Sequence, residues 1–383
     1  MQLPPIIHTS EPNSWAHHTF KERIPRIIDD VIASNDYPRE IITALQALRT
    51  EIISGTIRAL AEDADDRAFW DEHSRQYLGK TWLEVPWFWA EAFFYRRVLE
   101  AVRYFQPGTF SHRDPYANIK RTELATAPQT LNAVIERLPA DEPAAFDVLL
   151  HADLWGNRVD LSMYNIARAE PEQDNLLVDD TARVWAHLQS HRGQRIDFIC
   201  DNAGTELLFD LALVDFLLCS NIARTIVMHL KPHPTFVSDA MIKDVLGSLN
   251  VMSQLSMPVL NQLASRLVQA IAQNRLVLRD HPFWVTGFFF HDLPSDLRAV
   301  LAQTSLVIAK GDANYRRLIG DCHWEPTSSF DLAAAHFPAS VVAVRTLKSE
   351  PIVGLREGVA EHLHAQDAGW NINGRFGVIQ FRV

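Results

Sequence analysis

The sequence is poor in cysteine, and its three cysteines form no recognisable framework. Cys200, Cys219 and Cys322 contain no CxxC pair, and they do not make an even set. This excludes a small secreted module held together by disulfides, and it leaves no thiolate set with the spacing of a zinc site. We therefore predict a protein of a reducing, cytoplasmic setting.

Long apolar runs and an excess of positive charge are also missing. No run is long enough to cross a bilayer, and the opening MQLPPIIHTSEPNSW lacks the basic and apolar regions of a secretory signal. The 36 Lys and Arg residues are outnumbered by 47 Asp and Glu, which leaves a net charge of -11 and no basic surface for nucleic acid. The sequence predicts a soluble globular protein without a membrane or nucleic-acid partner.

Three common catalytic or cofactor motifs are absent as well. The chain has no GxGxxG after a strand, no GxxxxGK[ST] and no GxSxG. These absences argue against the usual dinucleotide fingerprint, a P-loop nucleotidase and a serine hydrolase of the nucleophile-elbow type.

The pattern of apolar residues changes about a third of the way along the chain. Apolar residues up to about residue 125 recur at helical spacing, and the aromatic-rich segment 82–105 reads as part of a helical core. A turn-rich stretch over 106–145 follows, and then short β-rich runs alternate with helical stretches. We predict a helical N-terminal domain, residues 1–130, and an α/β domain with parallel strands, residues 131–383.

Each of five apolar runs in the second half ends in a polar cluster. The pairs are RIDFIC before DNAGTE, RTIVMHL before KPHPTFVSD, RLVLR before DHPFW, SLVIA before KGDANYRR, and SVVAV before RTLKSE. A single polar turn after a strand is ordinary. Five in succession favour a ligand site, because the carboxyl ends of parallel strands share one edge. The residues expected to converge there are Asp201, Asn202, Asp239, Lys310, Asp312, Arg345 and Lys348.

The residue types at these strand ends indicate phosphate-ester chemistry. Asp and Asn oxygens are hard ligands that suit Mg²⁺ or Mn²⁺, whereas Lys and Arg neutralise a phosphate. A helix expected to begin near Thr205 would direct its N-terminal N–H groups to the same place. Two less specific interpretations stay open: Asn202 also suits a helix cap, and Glu206 suits the first turn of any helix.

Four segments together resemble the damage-control phosphatase family. DNAGTELLFDLAL, KPHPTFVSD, AKGDANYRRLIGD and RTLK are similar to the sugar-phosphate subfamily, the acidic-residue-methyltransferase-like group with its RTxK motif. WLEVPWFWAEAFFYRR resembles the helical region of that group. The resemblance implies a Rossmann-like α/β/α sandwich with a helical N-terminal domain, and a divalent metal (Mn, Mg, Co or Ni) as cofactor.

The resemblance also implies a role for individual residues. Asp201, Asn202 and Asp239 would hold the metal, Lys348 would contact the phosphate, and Glu206 would lie at the ligand site. The substrate would be lined by the KGDAN stretch, Lys310, Gly311, Asp312, Ala313 and Asn314. The implied substrates are small sugar phosphates of the fructose 1-phosphate or fructose 6-phosphate type, removed as part of metabolite damage control.

We therefore predict metal-dependent hydrolysis of a phosphate monoester, with Asp201, Asp312 and Lys348 as catalytic residues. Lys348, Arg345 and Lys310 would offset the charge of the phosphoryl oxygens. Water is the favoured nucleophile, because Ala203 breaks the DxDx[TV] pattern expected if Asp201 attacked directly. Asp312 would act as a base or as an orienting group.

Two other functions stay open at this point. One is S-adenosylmethionine-dependent methylation of protein carboxylates, which the name of the group records. The absence of a Gly-rich cofactor loop argues against it. The other is a non-catalytic sugar-phosphate sensor, and the complete set of metal-ligand residues argues against that.

Overall fold

The structure is a computed structural model that describes residues 3–61, 64, 66–156 and 175–383. Its α-helices are α1 (Trp15–His18), α2 (Ile24–Ser34), α3 (Arg39–Ser54), α4 (Arg67–Ser74), α5 (Trp87–Ala101), α6 (Ala117–Ile135), α7 (Glu142–Trp155), α8 (Thr181–Ser190), α9 (Thr205–Cys219), α10 (Ile242–Gln254), α11 (Pro258–Ala272), α12 (Ser295–Leu301), α13 (Gly311–Ile319), α14 (Phe330–Ala333) and α15 (Val359–Gln366). Its strands are β1 (Leu176–Asp179), β2 (Gln194–Ile199), β3 (Ala223–Leu230), β4 (Leu276–Asp280), β5 (Leu306–Lys310), β6 (Val341–Thr346) and β7 (Gly377–Arg382). A π-helical turn, Thr19–Arg23, joins α1 to α2.

The strands form one sheet in the order β1-β7-β6-β5-β2-β3-β4. Strands β2 to β6 are the five apolar runs singled out in the sequence, and their pairings are parallel. Strand β7 pairs antiparallel with β6, and β1 pairs parallel with β7. The predicted α/β fold is confirmed, and the polar clusters after β2 to β6 lie along one edge of the sheet.

The strand order reverses beside β2. The chain places β3 and β4 on one side of β2, and then β5 and β6 on its other side. In open α/β sheets, the crevice outside the carboxyl ends at such a reversal is the usual place for a ligand. The fold therefore points to the ends of β2 and β5, where Ile199 lies opposite Ala309.

Both faces of the sheet are buried, because β2 and β5 to β7 direct alternate apolar residues to opposite sides. On β5, Leu306 and Ile308 join a core covered by α6 to α11. Val307 and Ala309 point the other way, into a second core covered by α12 to α15. The result is the three-layer α/β/α arrangement that the family resemblance implied.

The N-terminal helices have a core of their own, built from apolar residues at helical spacing. Helix α3 buries Ile41, Leu45, Leu48 and Ile52 on one face. Helix α5 begins directly after Pro86, and its first thirteen residues are buried, which agrees with an aromatic core. No helix in the described ranges is long and apolar enough to span a membrane.

The predicted domain boundary between residues 130 and 131 stays a prediction. It falls inside α6, which runs without interruption from Ala117 to Ile135. Ala127, Leu131 and Val134 of this helix lie in the same core as α9, against the sheet. Helix α6 is therefore packed with the α/β layer along its second half.

Candidate active site

A cavity of about 380 Å³ lies at the carboxyl ends of β2, β5 and β6. Six of the residues expected at the site line it: Asp201, Glu206, Lys310, Gly311, Asp312 and Lys348. The rest of its wall consists of Trp15, Arg23, Leu154, Trp155, Val344, Thr346, Ile372, Asn373 and Gly374. Asn202, Asp239, Ala313, Asn314 and Arg345 are not part of this wall.

The carboxylate of Asp201 lies at the centre of the strand edge. Asp201 follows β2 and packs against Gly311, the first residue of α13. Gly311 has a φ of +81°, and any side chain there would overlap the Asp201 carboxylate. Strand β5 and helix α13 therefore meet β2 at a contact that requires glycine.

Asn202 connects Asp201 to the first turn of α9. Its Nδ2 donates to Asp201 Oδ2 at 2.8 Å and to Glu206 Oε2 at 2.9 Å, while Ser238 Oγ donates to Asn202 Oδ1 at 2.6 Å. The N-cap of α9 is Gly204, without a side-chain cap, so Asn202 does not cap this helix. The amide instead lies between two carboxylates.

Asp239 is brought to the same place by a short antiparallel bridge to Asn202. Both of its carboxylate oxygens are buried and accept no hydrogen bond from the described residues. Lys231 Nζ lies 3.3 Å from Asp239 Oδ2, and Lys120 Nζ donates to the Asp239 carbonyl at 2.8 Å. Lys231 and Lys120 thus hold the loop that carries Asp239 from two sides. Oδ1 of Asp239 still has no partner among the described residues.

The pKa values of Asp201 and Asp239 reflect the burial and close packing of the carboxylates at this site. Burial, followed by the charges of Glu206 and Asp239, raises the pKa of Asp201 well above its usual range. Burial also raises the pKa of Asp239, although Lys231 opposes it. Ionised carboxylates packed this closely call for an additional positive charge.

The residues present fit a divalent cation, with oxygen donors only. The described residues contain no group of three or more His, Cys, Asp and Glu side chains arranged as a metal site. The predicted set has two carboxylates, Asp201 and Asp239, and the amide of Asn202. Because the Ser238 hydroxyl can accept as well as donate, a half turn of that amide would present its oxygen where Nδ2 lies, between the carboxylates of Asp201 and Glu206.

Lys310 lines the cavity, but its ammonium is engaged by buried carboxylates. Nζ lies 2.6 Å from Asp153 Oδ1, 3.3 Å from Asp210 Oδ1 and 3.6 Å from Glu206 Oε1. Burial alone would lower the pKa of Lys310, but the three carboxylates outweigh it and raise that pKa. Burial raises the pKa of Asp153 and of Asp210. Lys310 therefore balances an internal acidic cluster.

Arg345 is fully buried and holds the loop that carries Lys348. Its Nε donates to Asp312 Oδ1 at 2.8 Å, and its Nη2 donates to the carbonyl of Ser349 at 2.8 Å. Nη1 donates to the carbonyl of Pro351. The guanidinium also lies over the Tyr315 ring, 4.3 Å from its centroid. The structure places Arg345 behind the cavity wall, where loop atoms take up its donors.

Asp312 joins this loop to the start of α13. Its Oδ1 accepts from Arg345 Nε, from the backbone N–H of Lys348 at 3.1 Å and from Ser349 Oγ at 2.9 Å. Burial would raise the pKa of Asp312, but Arg345 and these hydrogen bonds lower it. The Lys348 side chain is exposed and has no ion pair with a described residue.

The last two residues of the KGDAN stretch differ in environment. Ala313 is half-buried, whereas Asn314 is buried with its Nδ2 donating to the carbonyls of Lys310, at 2.8 Å, and Cys200, at 3.2 Å. Asn314 thereby fastens α13 to the end of β2.

Sequence reasoning missed three residues near the site: Asp153, Trp15 and Arg23. Asp153 had a recognisable signal, because it occupies the same helical stripe of α7 as buried Phe146 and Leu149. An acidic residue on an apolar stripe requires an internal partner. Trp15 and Arg23 carry no such signal, since they reach the cavity only through the packing of the N-terminal helices.

The comparison with protein families identifies the family. The model of the damage-control phosphatase ARMT1-like domain matches residues 19–363. The chain belongs to this family. Damage-control phosphatase ARMT1 of Danio rerio is 31% identical, over 99% of this chain and 97% of that protein. The protein of the same name from Rattus norvegicus is 30% identical, over 99% of each chain.

A solved structure supports the fold of this damage-control phosphatase family member. A DUF89 family protein from Pyrococcus horikoshii superposes with a TM-score of 0.53 at 13% identity, over 96% of this chain and 98% of that one. At this identity the likeness concerns the fold alone. Family membership supports a phosphatase of metabolite repair, with a small phosphate ester as substrate.

Proposed function

We propose that the protein is a divalent-metal-dependent phosphatase that hydrolyses small sugar phosphates, of the fructose 1-phosphate or fructose 6-phosphate type. The observation that carries this proposal is the convergence of Asp201, Gly311 and Lys348 in one cavity where the strand order reverses. A cavity of about 380 Å³ suits a small ester and lies near the lower end of ligand pockets.

Asp201, Asn202 and Asp239 would hold the metal. The support is the buried Asp239 carboxylate, whose Oδ1 has no partner among the described residues, and the amide that lies between Asp201 and Glu206. When bound, a divalent cation would supply Lewis-acid polarisation of the phosphoryl group. The hard oxygen donors suit Mg²⁺, Mn²⁺, Co²⁺ or Ni²⁺ better than a soft metal.

The phosphate would be bound by the start of α13 together with Lys348. The first N–H groups of a helix have no partner within it, and its dipole favours an anion there. Helix α13 starts at Gly311, which has no side chain to cover these groups. The exposed Lys348 ammonium can approach the same phosphate, because its backbone is held by Asp312.

The geometry favours an orienting role for Asp312 over that of a base. Three donors on one oxygen and a lowered pKa make its carboxylate a weak proton acceptor. Arg345 likewise acts through position, since it keeps Asp312 and the Lys348 loop in place. We retain water as the nucleophile.

The test is phosphate release by purified protein that has been stripped of metal with a chelator. Fructose 1-phosphate, fructose 6-phosphate and other sugar phosphates are offered with Mg²⁺, Mn²⁺, Co²⁺ and Ni²⁺ added back singly. We expect metal-dependent release that Asp201→Ala abolishes. The matched control is Asp36→Ala, which removes an exposed carboxylate remote from the cavity.

Each failure would have a distinct meaning. Release without added metal, undiminished by chelator, would remove the metal from the proposal. Sugar-phosphate binding without release in any metal would favour the sensor. Binding of S-adenosylmethionine with methyl transfer to protein carboxylates, and no phosphate release, would favour the methyltransferase.

A further inference from the structure

Part of the cavity wall comes from the N-terminal arm, which we define as residues 3–23. Trp15 and Arg23 of this arm line the same cavity as Asp201 and Lys348. They belong to none of the motifs at the strand ends. The cavity therefore has two sides of different origin, one from the sheet edge and one from the arm.

Trp15 offers a hydrogen-bond donor that the described residues leave unused. Its indole Nε1 is buried and bonds to no acceptor among them. The ring stacks on His18 with 4.9 Å between centroids, which fixes the plane of the indole. The indole N–H groups of Trp87, Trp89 and Trp284 also lack an acceptor among the described residues, so Trp15 is distinguished from them by its place in the cavity wall.

The arm is fastened to the α/β layer, so this donor is held in position. The backbone N–H of Trp15 donates to Glu350 Oε1 at 2.7 Å, two residues beyond Lys348. Further back, Ile7 N donates to the Asp321 carbonyl at 3.0 Å. The arm thus bridges to the loop that carries the proposed phosphate-binding lysine.

Arg23 brings a positive charge that acts on Glu91 at longer range but is not paired with it, because Glu91 pairs with Arg316. It is exposed, it lines the cavity, and it makes no hydrogen bond or ion pair with the described residues. By contrast, Arg26 pairs with Glu22, and Arg345 donates to Asp312 and to carbonyls of the Lys348 loop. Arg23 ends the Thr19–Arg23 π-helical turn, a rare geometry that is frequent at functional sites.

We propose that Trp15 and Arg23 bind the alcohol portion of the substrate and thereby determine which phosphate ester is hydrolysed. This inference rests on the proposed function. In the proposed function, Lys348 and the start of α13 bind the phosphate group of the substrate. The arm is then left to contact the alcohol portion. A single indole N–H suits a hydroxyl oxygen, the ring face suits sugar C–H groups, and a guanidinium can donate to two hydroxyls.

The test compares a sugar phosphate with an ester that lacks hydroxyl groups. Trp15→Phe keeps an aromatic ring and removes the donor, and Arg23→Gln removes the charge. For each variant, kcat and KM are measured with the preferred fructose phosphate and with 4-nitrophenyl phosphate. Arg26→Gln is the matched control, because Arg26 is an exposed arginine of the neighbouring helix that does not line the cavity.

We expect kcat/KM for the fructose phosphate to fall about tenfold in each variant, mainly through KM, as for one lost hydrogen bond. With 4-nitrophenyl phosphate, kcat/KM should stay within about twofold of the parent protein. Thermal unfolding of each variant shows whether the fold is retained. Equal losses on both esters, or no loss on either, would overturn the inference while leaving the phosphatase intact. A parent protein that releases phosphate from neither ester would overturn the proposed function itself, and the inference with it.

Discussion

Gly311 lies so close to Asp201 that the two residues fit together only because one of them has no side chain. A Cβ on Gly311 would lie 1.9 Å from Asp201 Oδ2 and 2.2 Å from its Cγ. Gly311 also has a φ of +81°, a conformation that other residues adopt at a cost. The end of β2 that carries the carboxylate and the start of α13, where we propose that phosphate binds, are therefore in direct contact.

Replacing Gly311 with alanine should abolish most of the activity. The new methyl group would push the Asp201 carboxylate aside, and a displacement of about 1 Å at a catalytic group costs on the order of a hundredfold in rate. The positive φ adds about 1–2 kcal/mol of destabilisation. Phosphate release and chemical unfolding would be measured on the same preparation.

Gly193→Ala is the control that separates backbone strain from the steric clash. Gly193 has a φ of +80°, but a Cβ there would meet nothing within 4 Å. We expect a similar loss of about 1 kcal/mol in stability and an unchanged kcat. If Gly311→Ala kept the parental kcat, the contact with Asp201 would not matter for catalysis.

Several features of the site could be predicted from the sequence because they depend on topology alone. Parallel strands place their carboxyl ends on one edge, so Asp201, Gly311 and Lys348 were expected along that edge once the strands were recognised. Their meeting in one cavity also depends on the neighbouring order β6-β5-β2, which was not predicted. The same reasoning could not tell which polar residue faces the cavity and which faces away from it.

Arg345 shows why the rest was not predictable. Its charge and position suggested a phosphate ligand, but Asp312 of α13 and the loop carbonyls of Ser349 and Pro351 take up its donors. Those contacts depend on the path of a loop without regular structure. Lys120, in contrast, shares a helical stripe of α6 with buried Ala127 and Leu131, and such a misplaced charge is a usable signal.

Lys310→Met should destabilise the protein strongly at neutral pH. The variant would leave Asp153 and Asp210 buried without the ammonium that lies between them. Breaking a buried ion pair in this way costs about 3–5 kcal/mol. Urea unfolding would measure the loss, with the exposed Lys21→Met as a control for the change in net charge.

The destabilisation of Lys310→Met should decrease on acidification. Burial raises the pKa of Asp153 and of Asp210, and the charge of Lys310 opposes that rise in the parent protein. Without Lys310 both pKa values rise further, so the folded variant binds protons more tightly than the folded parent protein. The stability that such carboxyl groups contribute falls as the pH rises from their unfolded pKa to their folded pKa. The gap between parent and variant should therefore be smaller at about pH 5 than at about pH 8, and Asp153→Asn should partly rescue the variant. A gap that widened in acid would contradict the account.

Asp312→Asn should behave in the opposite way with pH. The pKa of Asp312 is below its ordinary value of 3.8, mainly because Arg345 opposes the effect of burial. Its ionisation contributes stability above that value, and the contribution is lost as the pH falls through the folded pKa. We expect the variant to be less stable by about 2 kcal/mol at neutral pH. This difference should be constant down to about pH 5 and shrink below about pH 4. Unfolding of both proteins across this range would test it, and a difference that grew in acid would rule it out.

Lys120→Met should weaken metal binding without touching a metal ligand. Lys120 Nζ donates to the Asp239 carbonyl, and it also pairs with Asp244 at 2.8 Å and Asp114 at 3.2 Å. Loss of such a supporting contact typically costs about 10–100-fold in metal affinity. The measurement is the concentration of Mn²⁺ that half-activates phosphate release, together with direct calorimetric titration of metal into the stripped protein.

Lys243→Met provides the matched control for this prediction. Lys243 pairs with the same Asp114 at 2.7 Å, but it is half-exposed and, among the described residues, forms no hydrogen bond or ion pair with Asp239. Both variants lose one lysine from the same acidic group, so only Lys120→Met should shift the metal requirement. An equal shift of the metal requirement in the two variants would mean that the net charge around Asp114 determines it. The hydrogen bond from Lys120 to the Asp239 carbonyl would then not matter. If only Lys120→Met raised the Mn²⁺ concentration needed for half-activation, Asp239 would be assigned to the metal site. That assignment would come from a variant in which the Asp239 carboxylate is unchanged.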